Sequence, residues 1–333
     1  MTFHRRLLER TRNIGNSLCV GLDPVMRKLP RSEGAAADRV RRFYADLLEA
    51  MIKRRLYPAA VKPNIAYFEA LGVEALEALR RMIAEYRGEG ILVVLDAKRG
   101  DISTSSGAYA EAAFDGFGAD AVTAAPYMGS DSLSPFQDKA SGSSKGIYVM
   151  VRTSNPGAKD FEDLIVDLGQ GRRLPLYRVV AEKLVQWDRG DLGAVVGATA
   201  PRELEELVAF WRALGKEIPM LIPGISVGGI GQGGDAKEIL RAIRNAGGDP
   251  NLHLFNSSSG VNYAYERFSG TVPAEASIAS AEEPSAPLAA TDLTAALAPA
   301  VLDDGKPAMG GDADDEPSAM NALASEQAAL AAD

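Results

Sequence analysis

The sequence predicts an α/β fold, a closed (β/α)8 barrel of the TIM type, and three observations predict it. Eight short β-rich runs recur between residues 17 and 256. Longer stretches with apolar residues at three- and four-residue spacing alternate with them, the mark of amphipathic helices. The length of 333 residues suits a barrel of roughly 250 residues with an appendage. Strands alternating with helices imply right-handed crossovers and a parallel sheet. A doubly wound open sheet is the alternative topology.

The elements follow in order. "MTFHRRLLERTRN" at the N-terminus is too charged for a secretory signal and predicts an amphipathic helix packed on the body. "SLCVGLD" (17–23) is the first strand and holds the single cysteine, Cys19. No disulfide within the chain is possible, the thiol reads as core rather than nucleophile, and a reducing cytoplasm fits. "AADRVRRFYADLLEAMIKRR" (36–55) is a helix. Then come strands at "AAVKPN" (59–64), "ILVVLDA" (91–97), "DAVTAAP" (120–126), "GIYVMVR" (146–152) and "GAVVGA" (193–198). A helix at "APRELEELVAFWRALG" (200–215) precedes the last two strands, "PMLIPG" (219–224) and "NLHLFN" (251–256).

Composition sets limits. Hydrophobic residues make up 46% and charged residues 24%, the balance of a soluble globular chain. No apolar run approaches the roughly 20 residues that span a bilayer, and nothing points to nucleic acid. Two histidines, His4 and His253, leave no histidine-based metal cage or triad. From Gly270 to Asp333 there are twelve acidic residues, one basic residue (Lys306), twenty alanines and no aromatics. That segment reads as a disordered tail without a catalytic role. It carries about −11 of the net −9, so residues 1–269, the catalytic domain, stand near +2.

In such a barrel chemistry belongs at the C-terminal ends of the strands. "VVLDAKRGDIS" ends the third strand with Asp96, Lys98 and Asp101. Asp96 and Lys98 are two apart and project from the same side of an extended chain, and Asp101 follows across the Arg99-Gly100 turn. Two carboxylates held together need a cation between them, and that cation stays protonated. A solvated turn with one salt bridge is the bland alternative. Against it, Asp23 ends the first strand in "GLDP" and Lys62 ends the second in "VKPN". After the seventh and eighth strands, "PGISVGGIGQGGD" (223–235) and "NSSSGV" (256–261) are small-residue loops. In a barrel, loops at those places often hold phosphate with backbone N–H groups. A flexible structural loop would look similar.

These motifs, with "VKPNIAYFEALG", "PYMGSDSL", "VRTSNPGA" and "VVGAT", resemble the orotidine 5′-phosphate decarboxylase family, in particular its longer bacterial branch, type 2, over about residues 15–265. The resemblance implies decarboxylation of orotidine 5′-monophosphate to uridine 5′-monophosphate in pyrimidine synthesis, without metal or organic cofactor. It implies that Lys98 protonates carbon 6 of the pyrimidine, that Asp96 sits beside the leaving carboxylate, and that Lys62 bridges the charges and touches the ribose. Asp101 would enter the site of the neighbouring subunit of a homodimer. Asp23 would bind the ribose hydroxyls, Ser154 the pyrimidine and Gln232 the phosphate. Pro223, Gly224, Ser258 and Ser259 belong to the phosphate-side loops.

Three positions depart from the family pattern. Ser105 stands where threonine is usual and keeps its hydroxyl. Ala125 stands in place of asparagine, and Ser259 in place of an arginine that grips phosphate through two bonds. Two other functions stay open. One is a metal-dependent sugar-phosphate synthase or decarboxylase of the same suprafamily, which would need an acidic ligand where this chain has Lys62. The other is a catalytically silent phosphate-binding barrel, which the loss of the arginine favours and the retained Lys62, Asp96, Lys98 and Asp101 oppose.

Overall fold

The computed structural model describes residues 1–29, 33–226 and 232–263. The acidic segment from Gly270 onward, with the disorder expected of it, lies outside the described residues.

Eight parallel strands close a barrel: β1 (Leu18–Leu22), β2 (Ala60–Pro63), β3 (Leu92–Arg99), β4 (Ala121–Ala124), β5 (Gly146–Arg152), β8 (Leu192–Val196), β9 (Met220–Pro223) and β10 (Leu254–Ser257). Each falls within or overlaps one of the eight expected runs. Closure is explicit at β1, where Cys19 stands opposite Ala60 of β2 and Asn256 of β10, which removes the open-sheet alternative. The last strand starts later than its apolar run suggests. Asp249 caps the N–H of Asn251 and Pro250 opens a 3-10 turn, so residues 250–252 turn before the strand begins.

Two further short strands, β6 (Ile165–Asp167) and β7 (Arg173–Pro175), pair antiparallel in a ribbon inserted after β5. Strands of three residues are too short to show alternation, so the sequence reading did not anticipate them.

The helices are α1 (Phe3–Ile14), α2 (Ala36–Arg54), α3 (Ile65–Glu69), α4 (Val73–Gly88), α5 (Ser103–Glu111), α6 (Ser130–Ala140), α7 (Leu176–Trp187), α8 (Pro201–Ala213), α9 (Ala236–Asn245) and the four-residue α10 (Ser259–Asn262). Apart from α1, their apolar faces pack on the outside of the strands in one continuous core. The barrel interior holds a second cluster, which includes Cys19, Leu92, Val94, Tyr148 and Leu221.

The N-terminal helix α1 does pack on the body, as its amphipathicity predicts. Phe3 and Leu7 are buried in that interior cluster, and Thr11 donates to Asn251 O at 2.6 Å. The helix closes the N-terminal end of the barrel and leaves the other end for chemistry. Among the described residues no helix is long and apolar enough to cross a membrane.

Candidate active site

The C-terminal ends of the strands surround a cavity of about 600 Å³. Its floor is a charged cluster built from three neighbouring strands. Lys62 ends β2, Asp96 and Lys98 sit in the last turn of β3, and Thr123 lies in β4. Lys62 Nζ donates to Asp96 Oδ2 at 2.8 Å, and Lys98 Nζ donates to Asp96 Oδ1 at 2.6 Å. Asp96 and Lys62 are only 5% and 4% exposed. Burial alone would favour a neutral Asp96, but the ammonium groups of Lys62 and Lys98 outweigh it and hold the carboxyl well below the usual carboxylate range. Burial likewise opposes charge on Lys62, and Asp96 with Asp23 more than reverses it, so its pKa is raised. The cluster is therefore ionic, and the Lys98 side chain, half exposed, faces open space.

Lys98 is brought there by an irregular backbone. The β3–β4 register shifts between Leu95 and Arg99, and Lys98 has φ +44°, the left-handed region that non-glycine residues rarely occupy. Thr123 holds this bulge. Its Oγ1 accepts the N–H groups of Ala97 and Lys98 at 3.0 and 2.9 Å and donates to Asp96 Oδ1 at 2.9 Å. One hydroxyl thus fixes both the turn that carries the lysine and the carboxylate that faces it. The sequence reading missed Thr123, because a threonine in an apolar run reads as a strand former. It also ended the strand at Ala97, two residues early.

Asp23 enters from the end of β1 and lines the cavity with its Oδ1 closed off and without a hydrogen-bond partner among the described residues. Asn256 at the end of β10 has an unpartnered Oδ1 in the same cavity. Close approach of these strand ends depends on Gly21, where a Cβ would fall 1.8 Å from Ser258 Oγ and 3.2 Å from Asp23 Oδ2.

On the opposite rim Ser154 donates to Gln232 Oε1 at 2.6 Å, so the loops after β5 and β9 meet across the mouth. Pro223 and Gly224 continue this side of the lining, and Ser258 and Ser259 line the cavity at the end of β10, beside β1. Residues 227–231 of the glycine-rich loop lie outside the described residues. Asn64, Tyr67, Asn155 and Tyr263 also line the cavity and were not singled out from sequence, since single polar and aromatic residues carry no spacing signal.

Two expected site residues do not join the others within one chain. Asp101 is absent from the lining, and its Oδ1 accepts the neighbouring N–H of Ile102 at 2.8 Å. Ser105 is exposed on α5; its neighbour Ser106 is the buried one and donates to Ser132 O. Cys19 is buried below the site, and burial pushes its thiol up to about 12, so it is no nucleophile.

A (β/α)8 barrel with a lysine–aspartate–lysine cluster at the floor of an open cavity defines a cofactor-sized or nucleotide-sized binding site with fixed charges of both signs. The profile of the orotidine 5′-phosphate decarboxylase / HUMPS family matches residues 16–265, and the chain belongs to that family. A curated relative from Herpetosiphon aurantiacus, named orotidine 5′-phosphate decarboxylase, is 40% identical over 251 residues, covering 75% of this chain and 85% of its own. One from a Janthinobacterium species, with the same name, is 40% identical over 267 residues, 79% of this chain and 90% of its own. Among solved structures, Leishmania donovani OMP decarboxylase matches with a TM-score of 0.63 and 37% identity over 84% of this chain and 95% of that one.

Proposed function

We propose that this chain decarboxylates orotidine 5′-monophosphate to uridine 5′-monophosphate, the closing reaction of pyrimidine nucleotide synthesis. The observation that carries the proposal is Lys98, an ammonium held by Asp96 at the floor of a cavity large enough for a nucleotide. The family and the names of its relatives support the same reaction.

The chemistry follows from the charges. The bond from carbon 6 to the carboxyl carbon breaks and carbon dioxide leaves. The electron pair stays on carbon 6, where the ring delocalises it poorly. The Lys98 ammonium stabilises that charge as it develops and then gives it a proton, and solvent restores the lysine. Asp96 keeps Lys98 in place and faces the departing carboxylate. Asp23, which lines the cavity, suits a ribose hydroxyl, and Ser154 and Gln232 suit the pyrimidine and the phosphate. No cofactor enters this scheme. A sugar-phosphate reaction needing a divalent ion at the end of β2 fits less well, since Lys62 puts an ammonium there, 2.8 Å from Asp96.

The chain works as a homodimer in this reading. Near Asp101, Ile102 is 53% exposed, and the part-exposed Met128 comes within 3.9 Å of where a Cβ on Gly100 would sit. Pairing two copies there would cover these side chains and carry Asp101 and Ser105 to the partner's cavity. Mixing inactive Lys98→Ala with inactive Asp101→Ala subunits then restores activity; no recovery after demonstrated subunit exchange contradicts the shared site. The catalytic unit is residues 1–269, and the reaction belongs in the cytoplasm.

The deciding test is an ultraviolet assay of purified protein with orotidine 5′-monophosphate. Loss of substrate with formation of uridine 5′-monophosphate, unchanged by EDTA, is the expected result. No turnover, or turnover that EDTA abolishes and magnesium restores, overturns it.

A further inference from the structure

Below Ser154 lies a second ionic cluster, which the proposed chemistry does not use. Arg152, the last residue of β5, is 6% exposed and meets three carboxylates: Glu162 at 2.9 Å, Asp163 at 3.1 Å and Glu203 at 3.8 Å. Tyr177 lies under its guanidinium, 5.6 Å from the ring centre. Glu162 uses its second valence differently from the other two acids. Its Oε2 also accepts the N–H of Thr153 at 2.9 Å, and its Oε1 accepts the Thr153 hydroxyl at 2.7 Å. One carboxylate therefore fixes both the main chain and the side chain of the residue next to Ser154.

The other flank of Ser154 is equally confined. A Cβ on Gly197 would come within 2.8 Å of Ser154 Cα, so β8's outgoing chain leaves no slack. Thr199 Oγ1 donates to Ser154 O at 3.2 Å. Ser154 is held between a clamp on one side and a close-packed backbone on the other. Only the clamp depends on a charge.

We infer that Glu162, anchored by Arg152, is a positioning residue that sets where the Ser154 hydroxyl meets the substrate ring. The inference rests on the proposed function above, which gives Ser154 its role toward the pyrimidine. It does not reduce to stability alone. If Glu162 is neutralised, Arg152 keeps Asp163 and Glu203 as partners, so the main loss falls on Thr153 and through it on Ser154.

A double-mutant cycle tests it. Glu162→Gln keeps the shape but cannot accept through both terminal atoms. In the otherwise wild-type chain it lowers kcat/KM for orotidine 5′-monophosphate by roughly 10- to 100-fold, the scale of a small misplacement of a contacting group. In a Ser154→Ala background the same change costs less than about twofold, because the hydroxyl it positions is gone. Thr153→Val, which removes only the hydroxyl, shows the same pattern and serves if Glu162→Gln folds poorly. Equal losses in both backgrounds, or no loss in either, overturn the inference. Calorimetric binding of uridine 5′-monophosphate to the same variants runs the cycle without turnover. A wild-type chain that fails to decarboxylate thus overturns the proposed reaction, whereas additive binding losses overturn the clamp.

Discussion

Two buried aspartates, one at each end of the barrel, sit between pairs of cations and serve opposite purposes. Asp120, just before β4, takes Arg6 at 3.1 Å and Arg87 at 3.2 Å and accepts the N–H of Val93 at 3.0 Å. Its cations reach in from the helices α1 and α4, and the cluster closes on itself under the plug of α1. Asp96, at the open end, takes Lys62 and Lys98 and the Thr123 hydroxyl. Its partners are strand residues whose far side is empty cavity. Arginine's planar fork suits a closed structural site, while lysine offers a compact charge with a proton to give. Burial and pairing therefore do not by themselves mark a catalytic carboxylate. What marks it is that the charges face a space a ligand can fill.

Neutralising the two acids separates these purposes most sharply. Asp96→Asn leaves the buried Lys62 ammonium facing a neutral group and so also costs stability, and in its folded fraction it lowers kcat by about 10²- to 10³-fold or more, the scale of losing one preorganised electrostatic partner. Asp120→Asn leaves two part-exposed arginines facing a neutral group and costs about 1.5–3 kcal/mol of stability, the usual worth of hydrogen bonds to a charged group, since water can still reach both guanidiniums. The folded fraction of that variant retains its kcat. Urea unfolding and steady-state kinetics on both variants check this, and similar losses of kcat in the two folded variants would break the comparison.

The closed end also carries a pH dependence. His253 is buried before β10, its Nδ1 accepts the N–H of Met220 at 3.0 Å, and burial pulls its pKa down to about 4. A histidine with a depressed folded pKa stabilises fully above its unfolded value, near 6.5, and loses that contribution as pH falls toward 4. Stability should fall by up to about 3 kcal/mol across that window from this residue. An NMR titration reads it directly: the ring stays neutral at pH 5.5, and a ring already charged there contradicts the assignment.

A smaller effect sharpens the open end. Ser259 lines the cavity where the family pattern has arginine. Ser259→Arg supplies a charged fork and should gain roughly 1.5–3 kcal/mol of phosphate affinity. Inhibition by inorganic phosphate and kcat/KM measure it. A folded variant that gains in neither shows that another group already grips the phosphate.

Much of this was legible in the sequence because strands and charges repeat on fixed periods. The eight runs located all eight barrel strands, and charged residues at successive strand ends located Asp23, Lys62, Asp96 and Lys98 around one cavity. The spacing of Asp96 and Lys98 predicted a shared side, and they do meet. The route differs, since a bulge and a left-handed Lys98 do what a regular strand was expected to do. Thr123 and Glu162 were invisible for a physical reason. Each acts through hydrogen bonds to backbone that only the folded chain brings near, across 25 and 26 residues for Thr123 and 9 for Glu162. Asp101 and Ser105 stay apart from the cavity of their own chain, and the role expected of Asp101 depends on a second copy.

The most direct test is the decarboxylation rate of Lys98→Ala with orotidine 5′-monophosphate, measured beside the wild type at matched thermal midpoint. Loss of both the proton donor and the fixed cation should lower kcat by at least about 10⁴-fold, combining the usual reach of acid catalysis with the electrostatic contribution. A folded Lys98→Ala protein that turns over within about tenfold of wild type, a barrier difference near 1.4 kcal/mol, would contradict the account at its centre.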